Sequence, residues 1–272
     1  MILDCHIHLD EGPIEREKFY ESAAKIGVGG GIVMSIPPGG YRGGDKGIAD
    51  AKRRLENLFQ WTASDADLFP FLWMDPTEDD AVEQAKLAIS MGVKGFKVIC
   101  YNFYPGDERA MKTYRVIAEA KKPILFHSGI LWNGRSSAKF NRPGGFEDLI
   151  EIEGIRFALA HISWPWYDEC LSVYGKMESA KNYDKREIEM FIDISPGTPP
   201  IYRRDAITKL HTIGYDICDN ILFGVDSEAR EYDYEKGGEL IKNDNIIYAD
   251  LGLDQQTINK IYGENLKRFV QG

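Results

Sequence analysis

The chain has 272 residues, a formal net charge of −10, and 43% apolar against 28% charged residues. That length buries a large core and suits either two small domains or one α/β barrel. The acidic balance, with no basic stripe, excludes nucleic acid as the expected partner, and no apolar run reaches the ~18 residues of a membrane span. A small molecule is the expected partner, with a homo-oligomer compatible. The first residues show no basic region followed by an apolar stretch, which predicts a cytoplasmic protein. Cys5, Cys100, Cys170 and Cys218 have no paired spacing and read as reduced thiols.

Taken in chain order, short β-branched or aromatic runs alternate with charged, helix-periodic ones. Strands are predicted at 2–9, 30–36, 68–74, 93–100, 123–129, 156–162, 190–195 and 221–226. Helical periodicity covers 14–26, 46–62, 79–91, 107–121 and 203–213. Asp107 opens one of these as a cap, and Gly92 and Gly214 follow the last periodic residues of two others. Eight βα units in a single domain, 1–272, predict a (β/α)8 TIM barrel. A doubly wound open sheet is the alternative, weakened because no G-x-G-x-x-G follows the first strand. Two inserts, 130–145 after the fifth strand and 164–188 after the sixth, are expected on the C-terminal face, where a barrel carries its active-site loops.

Chemistry concentrates on that same face. In the first strand His6 and His8 stand at i and i+2, so both imidazoles project to one side, the beginning of a divalent-metal site. His127 and His161 end the fifth and sixth strands, and Asp226 ends the last. Strand ends distant in sequence meet on a barrel rim. His211 falls in a helix and reads as structural. Lys97 lies inside the strand run VKGFKVIC, where an ammonium is costly unless paired or deprotonated. It is read as a snorkelling side chain, as a partner for a substrate anion, or as a carbamylated lysine bridging two metals. The loop after strand five offers Arg135, Lys139 and Arg142 beside Trp132, Asn133 and Phe140, suited to a carboxylate or phosphate or simply to solvent. Arg42, flanked by glycines after strand two, is a further candidate on the rim. Trp164 and Trp166 flank Pro165 and are read as pocket walls or as loop anchors.

These residues, in this order, resemble the amidohydrolase superfamily, and most closely its amidohydrolase-related branch. The matching pieces are Asp4-Cys-His6-Ile-His8, His127-Ser-Gly, Ala160-His161, Ile221-Leu-Phe-Gly-Val-Asp226 and the closing stretch Ile261 to Phe269. The resemblance implies that His6, His8, His127 and Asp226 hold a divalent metal, with His161 beside it as a second ligand or a hydrogen-bonding partner. Two places depart from the family pattern: Gly224-Val-Asp226-Ser-Glu where the family reads G-S-D before an aromatic and a proline, and Ile-Ser-Trp after His161 in place of a glycine-rich turn. Three imidazoles and a carboxylate suit Zn²⁺, as one ion or two, and also Mn²⁺, Fe²⁺, Co²⁺ or Ni²⁺. The implied enzyme is a metal-dependent hydrolase that opens an amide, ester or lactone of a small carboxylate-bearing substrate through a metal-activated water. In it Asp226 moves the proton, His161 steadies the developing oxyanion and Lys97 meets the carboxylate. Arg135, Arg142, Trp132 and Arg42 are the expected substrate contacts. Non-oxidative decarboxylation on the same site is the alternative, and a non-catalytic metal-binding barrel is the further one. A phosphoesterase or deoxyribonuclease fits less well, because the family's fourth-strand glutamate is a lysine position here.

Overall fold

The computed structural model describes residues 1–39, 47–63 and 65–272. Strands and helices alternate: β1 (Ile2–His8), α1 (Arg16–Ala24), β2 (Val28–Met34), α2 (Ala51–Thr62), β3 (Leu68–Trp73), α3 (Ala81–Met91), β4 (Gly95–Val98), α4 (Glu108–Glu119) and β5 (Ile124–Phe126). There follow β6 (Arg156–Leu159), α5 (Tyr167–Asn182), β7 (Glu189–Asp193), α6 (Pro200–Thr212), β8 (Ile221–Leu222), β9 (Ser227–Glu228), α7 (Tyr234–Asp250), α8 (Gln255–Asn259) and α9 (Asn265–Gln271). Local chemistry sets several boundaries. Asp50 caps α2 by accepting from the amides of Lys52 and Arg53, and Asp107 caps α4 through the Arg109 amide. Gly92, at φ 99°, closes α3 in the left-handed conformation that glycine adopts at no steric cost.

All strand pairs are parallel, in the order β8-β7-β6-β5-β4-β3-β2-β1-β9. The ends of that order belong to one stretch of chain. Leu222 in β8 is in register with Asp193 of β7, Phe223 O accepts from Cys5 N at 2.9 Å, and Ser227 in β9 pairs with Ile7 of β1. The last β segment is thus in two pieces, giving nine strands among the described residues where eight are expected. An α/β barrel results. Its interior holds Leu3, Cys5, Ile32, Met34, Phe69, Phe71, Leu125, Ala158, Phe191 and Leu222, with Leu266, Phe269 and Val270 of α9 packed among them. The Phe269 ring lies 4.9 Å from Phe191 and 6.3 Å from Phe71, and its carbonyl accepts from Arg156 at the start of β6. Helix α9 therefore plugs the N-terminal end, which leaves the C-terminal mouth for chemistry. Asn265 seats this plug by donating to the carbonyls of Cys218 and Ile221.

Two sequence expectations are corrected here. Segment 164–188 is not an insert, since it contains α5, the helix that returns the chain from β6 to β7. After β5, by contrast, no α-helix forms. A 3-10 stretch, Pro143–Glu151, takes its place, in keeping with the proline and two glycines at its start, which are poor α-formers. Helix α7 escapes the periodicity reading because Gly237 and Gly238 interrupt it, although Asp233 caps it through the Lys236 amide.

Candidate metal centre

Strand β1 carries an irregularity between Asp4 and Ile7, where its register with β2 shifts. A bulge re-aims the side chains that follow it. Leu3 and Cys5 face the barrel interior before it, Ile7 packs outward after it, and His6 and His8 turn toward the mouth. Their ring centroids are 5.1 Å apart. Asp4 pins this strand to the last one, accepting from the amides of His6 at 2.8 Å and Val225 at 3.0 Å and from the Tyr232 hydroxyl at 2.8 Å.

Asp226 brings Oδ1 to 3.6 Å from His6 Nε2 and 3.3 Å from His8 Nε2. Two donors each 2.0–2.2 Å from a shared tetrahedral centre stand roughly 3.3–3.6 Å apart, so these three atoms have the spacing of a metal's ligands. His127 points at the same space: it lines the cavity, is buried, and its Nε2 has no hydrogen-bond partner among the described residues. A buried polar atom left alone costs about 1–3 kcal/mol, and a cation is the group that would use this lone pair. The residues fit a divalent metal. His161 completes the ring of histidines, its centroid 5.0 Å from both His6 and His127.

Electrostatics keep the donors in ligating form. Burial, assisted by Lys97, lowers the His6 pKa to about 3. Burial likewise pushes His127 and His161 down, so these imidazoles are neutral at pH 7. For Asp226 the burial cost is outweighed by His6, His8 and His161, which hold it well below the usual carboxylate range. Lys97 is wholly buried, not snorkelling, with Nζ 3.3 Å from His6 Nε2, and burial brings it down to about 8.

The cavity has a volume of about 180 Å³, and its walls include Trp73, Ile99, Leu131, Trp132 and Trp164 beside the histidines. Trp132 stacks on Trp164 at 6.5 Å, with planes 18° apart, while remaining 81% exposed at the mouth. Two of the three arginines expected to bind substrate lie elsewhere. Arg142 donates to Glu169 Oε2 at 2.7 Å and lies over the Trp166 ring, and exposed Arg135 is not among the cavity walls. Both side chains are exposed, and Glu169 of α5 captures one of them. Arg42 lies outside the described residues.

Sequence reasoning missed Asp193 and Ser195 at the end of β7. Asp193 is fully buried with Oδ2 2.6 Å from His6 Nδ1, and Ser195 Oγ lies 3.2 Å from His6 Nδ1 and 3.1 Å from His161 Nδ1. The signal was present, since a carboxylate in the apolar run MFIDIS is as anomalous as Lys97. Two glycines also serve the site. A Cβ on Gly197 would sit 2.5 Å from His161 Cβ, and one on Gly129, at φ 98°, would sit 2.3 Å from Trp164 O.

Solved structures share this architecture. A protein described as amidohydrolase II superposes with a TM-score of 0.69 at 14% identity, covering 100% of both chains. The fold is the α/β barrel of that structure. Other solved structures that match are 2,6-dihydroxybenzoate decarboxylase from Rhizobium (TM-score 0.65, 14% identity, 99% of this chain and 98% of that one) and a probable 2-pyrone-4,6-dicarboxylic acid hydrolase from Acinetobacter baumannii (0.62, 12%, 100% and 99%). At such identities the likeness is one of fold. No protein-family model and no curated protein matches the sequence.

Proposed function

We propose that this chain is a metal-dependent hydrolase of a small, carboxylate-bearing substrate, with His6, His8, His127 and Asp226 holding one divalent cation, Zn²⁺ by donor type. The observation that carries the reading is the convergence of His6 Nε2, His8 Nε2 and Asp226 Oδ1 beside the partnerless Nε2 of His127. When bound there, a divalent cation supplies Lewis acidity and lowers the pKa of water from 15.7 toward about 7. The chain's own groups do the rest. Asp226, ionised at neutral pH, accepts the proton of the attacking water and returns it to the leaving oxygen or nitrogen. His161 donates a hydrogen bond to the oxygen on which negative charge develops. Lys97, wholly buried with Nζ beside His6 and lining the cavity, would attract the substrate carboxylate, whereas Arg142 is paired with Glu169 and Arg135 is not among the cavity walls.

A cavity of about 180 Å³ falls below the 300–1,000 Å³ of drug-sized sites, and its tryptophans suit a planar, unsaturated body. This wall chemistry favours a second reading on the same site, loss of CO₂ from an aromatic or unsaturated acid. Two fold relatives carry those two chemistries in their descriptions, a hydrolase of a pyrone dicarboxylic acid and a decarboxylase of a dihydroxybenzoate. The test is turnover of zinc-loaded protein on lactones, esters, amides and unsaturated acids, following both titratable acid and CO₂. Acid release without CO₂ supports hydrolysis, CO₂ supports the second reading, and Asp226→Asn abolishes either. Wild-type protein that binds zinc and turns over nothing on the panel, with Asp226→Asn indistinguishable from it, points to the non-catalytic barrel.

A further inference from the structure

Hydrogen placement on two neighbouring histidines follows from the end of β7. Asp193 accepts the Ser195 amide on Oδ1 at 2.6 Å and faces His6 Nδ1 with Oδ2 at 2.6 Å. A carboxylate only accepts, so His6 Nδ1 carries the hydrogen and donates it, leaving Nε2 as a bare lone pair directed at Asp226 and Lys97. The Ser195 hydroxyl must also place its hydrogen. Among the described residues its two side-chain hydrogen-bond partners are His6 Nδ1 and His161 Nδ1, and the first has no lone pair left to offer. The hydroxyl therefore donates to His161 Nδ1. A neutral imidazole that accepts at Nδ1 carries its hydrogen at Nε2, and the His161 ring lines the cavity.

We infer that Asp193 and Ser195 assign opposite tautomers to the two rings: His6 presents a bare Nε2 to the cation, and His161 presents Nε2–H to the substrate oxygen. Both are positioning residues, acting through the histidines. His161 is then a donor in the cavity and not a metal ligand, which decides between its two expected roles. The surroundings hold its ring for this task. Thr198 Oγ1 donates to His161 O at 3.3 Å, and Gly197 leaves no room for a side chain against the ring. Arg203, buried and paired with Asp244, donates to Ile194 O at 2.8 Å and fixes the backbone between the two positioning residues. The inference rests on the metal reading only where His6 is concerned.

The test uses ¹⁵N-labelled full-length protein and long-range ¹H–¹⁵N correlation of the histidine rings, in which the two neutral tautomers give distinct shift patterns. Five histidines make assignment by single substitution tractable. In metal-free wild type, His6 is expected as the Nδ1–H form and His161 as Nε2–H. Ser195→Ala shifts His161 toward Nδ1–H and leaves zinc affinity, measured by competition with a chelating dye, within about 3-fold. Ser195→Thr restores the wild-type pattern. Asp193→Asn weakens zinc 10–100-fold, the usual cost of losing such a partner. The inference is overturned by Nδ1–H at His161 in wild type, by unchanged rings in Ser195→Ala, or by loss of zinc affinity in Ser195→Ala as large as in Asp193→Asn. Wild type that binds no zinc at all would sink the metal reading alone, because the His161 result is read in metal-free protein. Should Asp193→Asn fail to fold, wild type and Ser195→Ala still decide.

Discussion

Zinc should raise the stability of this protein, and Asp226→Ala should cancel the gain. The donors already stand at ligand spacing, 3.3 and 3.6 Å between nitrogen and oxygen, so little rearrangement opposes binding. His127 Nε2, alone in the described structure, gains a partner. A ligand at about 100 times its dissociation constant stabilises the folded state by ~2.7 kcal/mol. For a chain near this length each kcal/mol moves the melting temperature by roughly 2–4 °C, which gives a rise of about 5–10 °C. The assay is a thermal melt of chelator-treated protein against zinc concentration, with metal content read in parallel. Asp226→Ala removes one of the three converging donors and should retain less than about 2 °C of the shift. Arg135→Ala, whose exposed side chain lies away from the cavity walls, should retain all of it. An equal gain in Asp226→Ala and wild type would mean that zinc binds elsewhere, and the proposed centre would fall with it.

Three further outcomes are expected. Arg203→Leu breaks a buried pair in which Nε and Nη2 of the guanidinium donate to the two oxygens of Asp244, and should cost about 3–5 kcal/mol in urea unfolding, largely recovered in Arg203→Leu with Asp244→Leu. His211, brought down to about 4 by burial, takes up a proton more readily unfolded than folded. Its contribution is therefore complete above pH 6.5 and lost as the pH falls toward 4, on the order of 1–2 kcal/mol by pH 5; His211→Phe should flatten that part of the stability profile. Trp132→Ala removes the outer ring of a stacked pair worth ~0.5–1.5 kcal/mol, and should raise KM up to about 10-fold while leaving zinc content unchanged.

The barrel was legible because its strands and the helices α1–α4 and α6 announce themselves locally, through β-branched runs and caps such as Asp107 and Gly92. That His6, His8, His127, His161 and Asp226 line one cavity was legible for a related reason: an ionisable side chain that ends an apolar run is set against the core's preference for apolar groups. What escaped detection depends on contacts between distant strands. Asp193 reads as a stray carboxylate until β7 is set beside β1 and its oxygen meets His6 Nδ1. The loop after β5 misled in the opposite direction. Arg142 has the right chemistry for an anion, but Glu169 lies 27 positions on, in a helix that the sequence presented as an insert, and takes it. Charge in a loop says what a side chain can bind and not where it points.

The backbone at the mouth adds an independent argument that the site is built for chemistry. Among the described residues, six other than glycine have positive φ: Lys121, His161, Ile162, Ser163, Lys185 and Asp226. Lys121 and Lys185 follow α4 and α5, where a left-handed residue commonly closes a helix. The other four close no helix, and they include the two residues assigned to move protons and donate hydrogen bonds. At roughly 1–2 kcal/mol each, they cost a sizeable part of the 5–15 kcal/mol that stabilises an ordinary domain, and strain of this kind persists where the surrounding structure imposes it. Ser163→Gly should release one such cost. Against the ~0.5–1 kcal/mol that glycine loses in chain entropy, the net gain is up to about 1 kcal/mol, or roughly 2–4 °C in melting temperature. Turnover should not rise with stability, since His161 would be held less firmly. A variant that melts lower than wild type would show that the left-handed turn is not strained and that its place beside His161 is incidental.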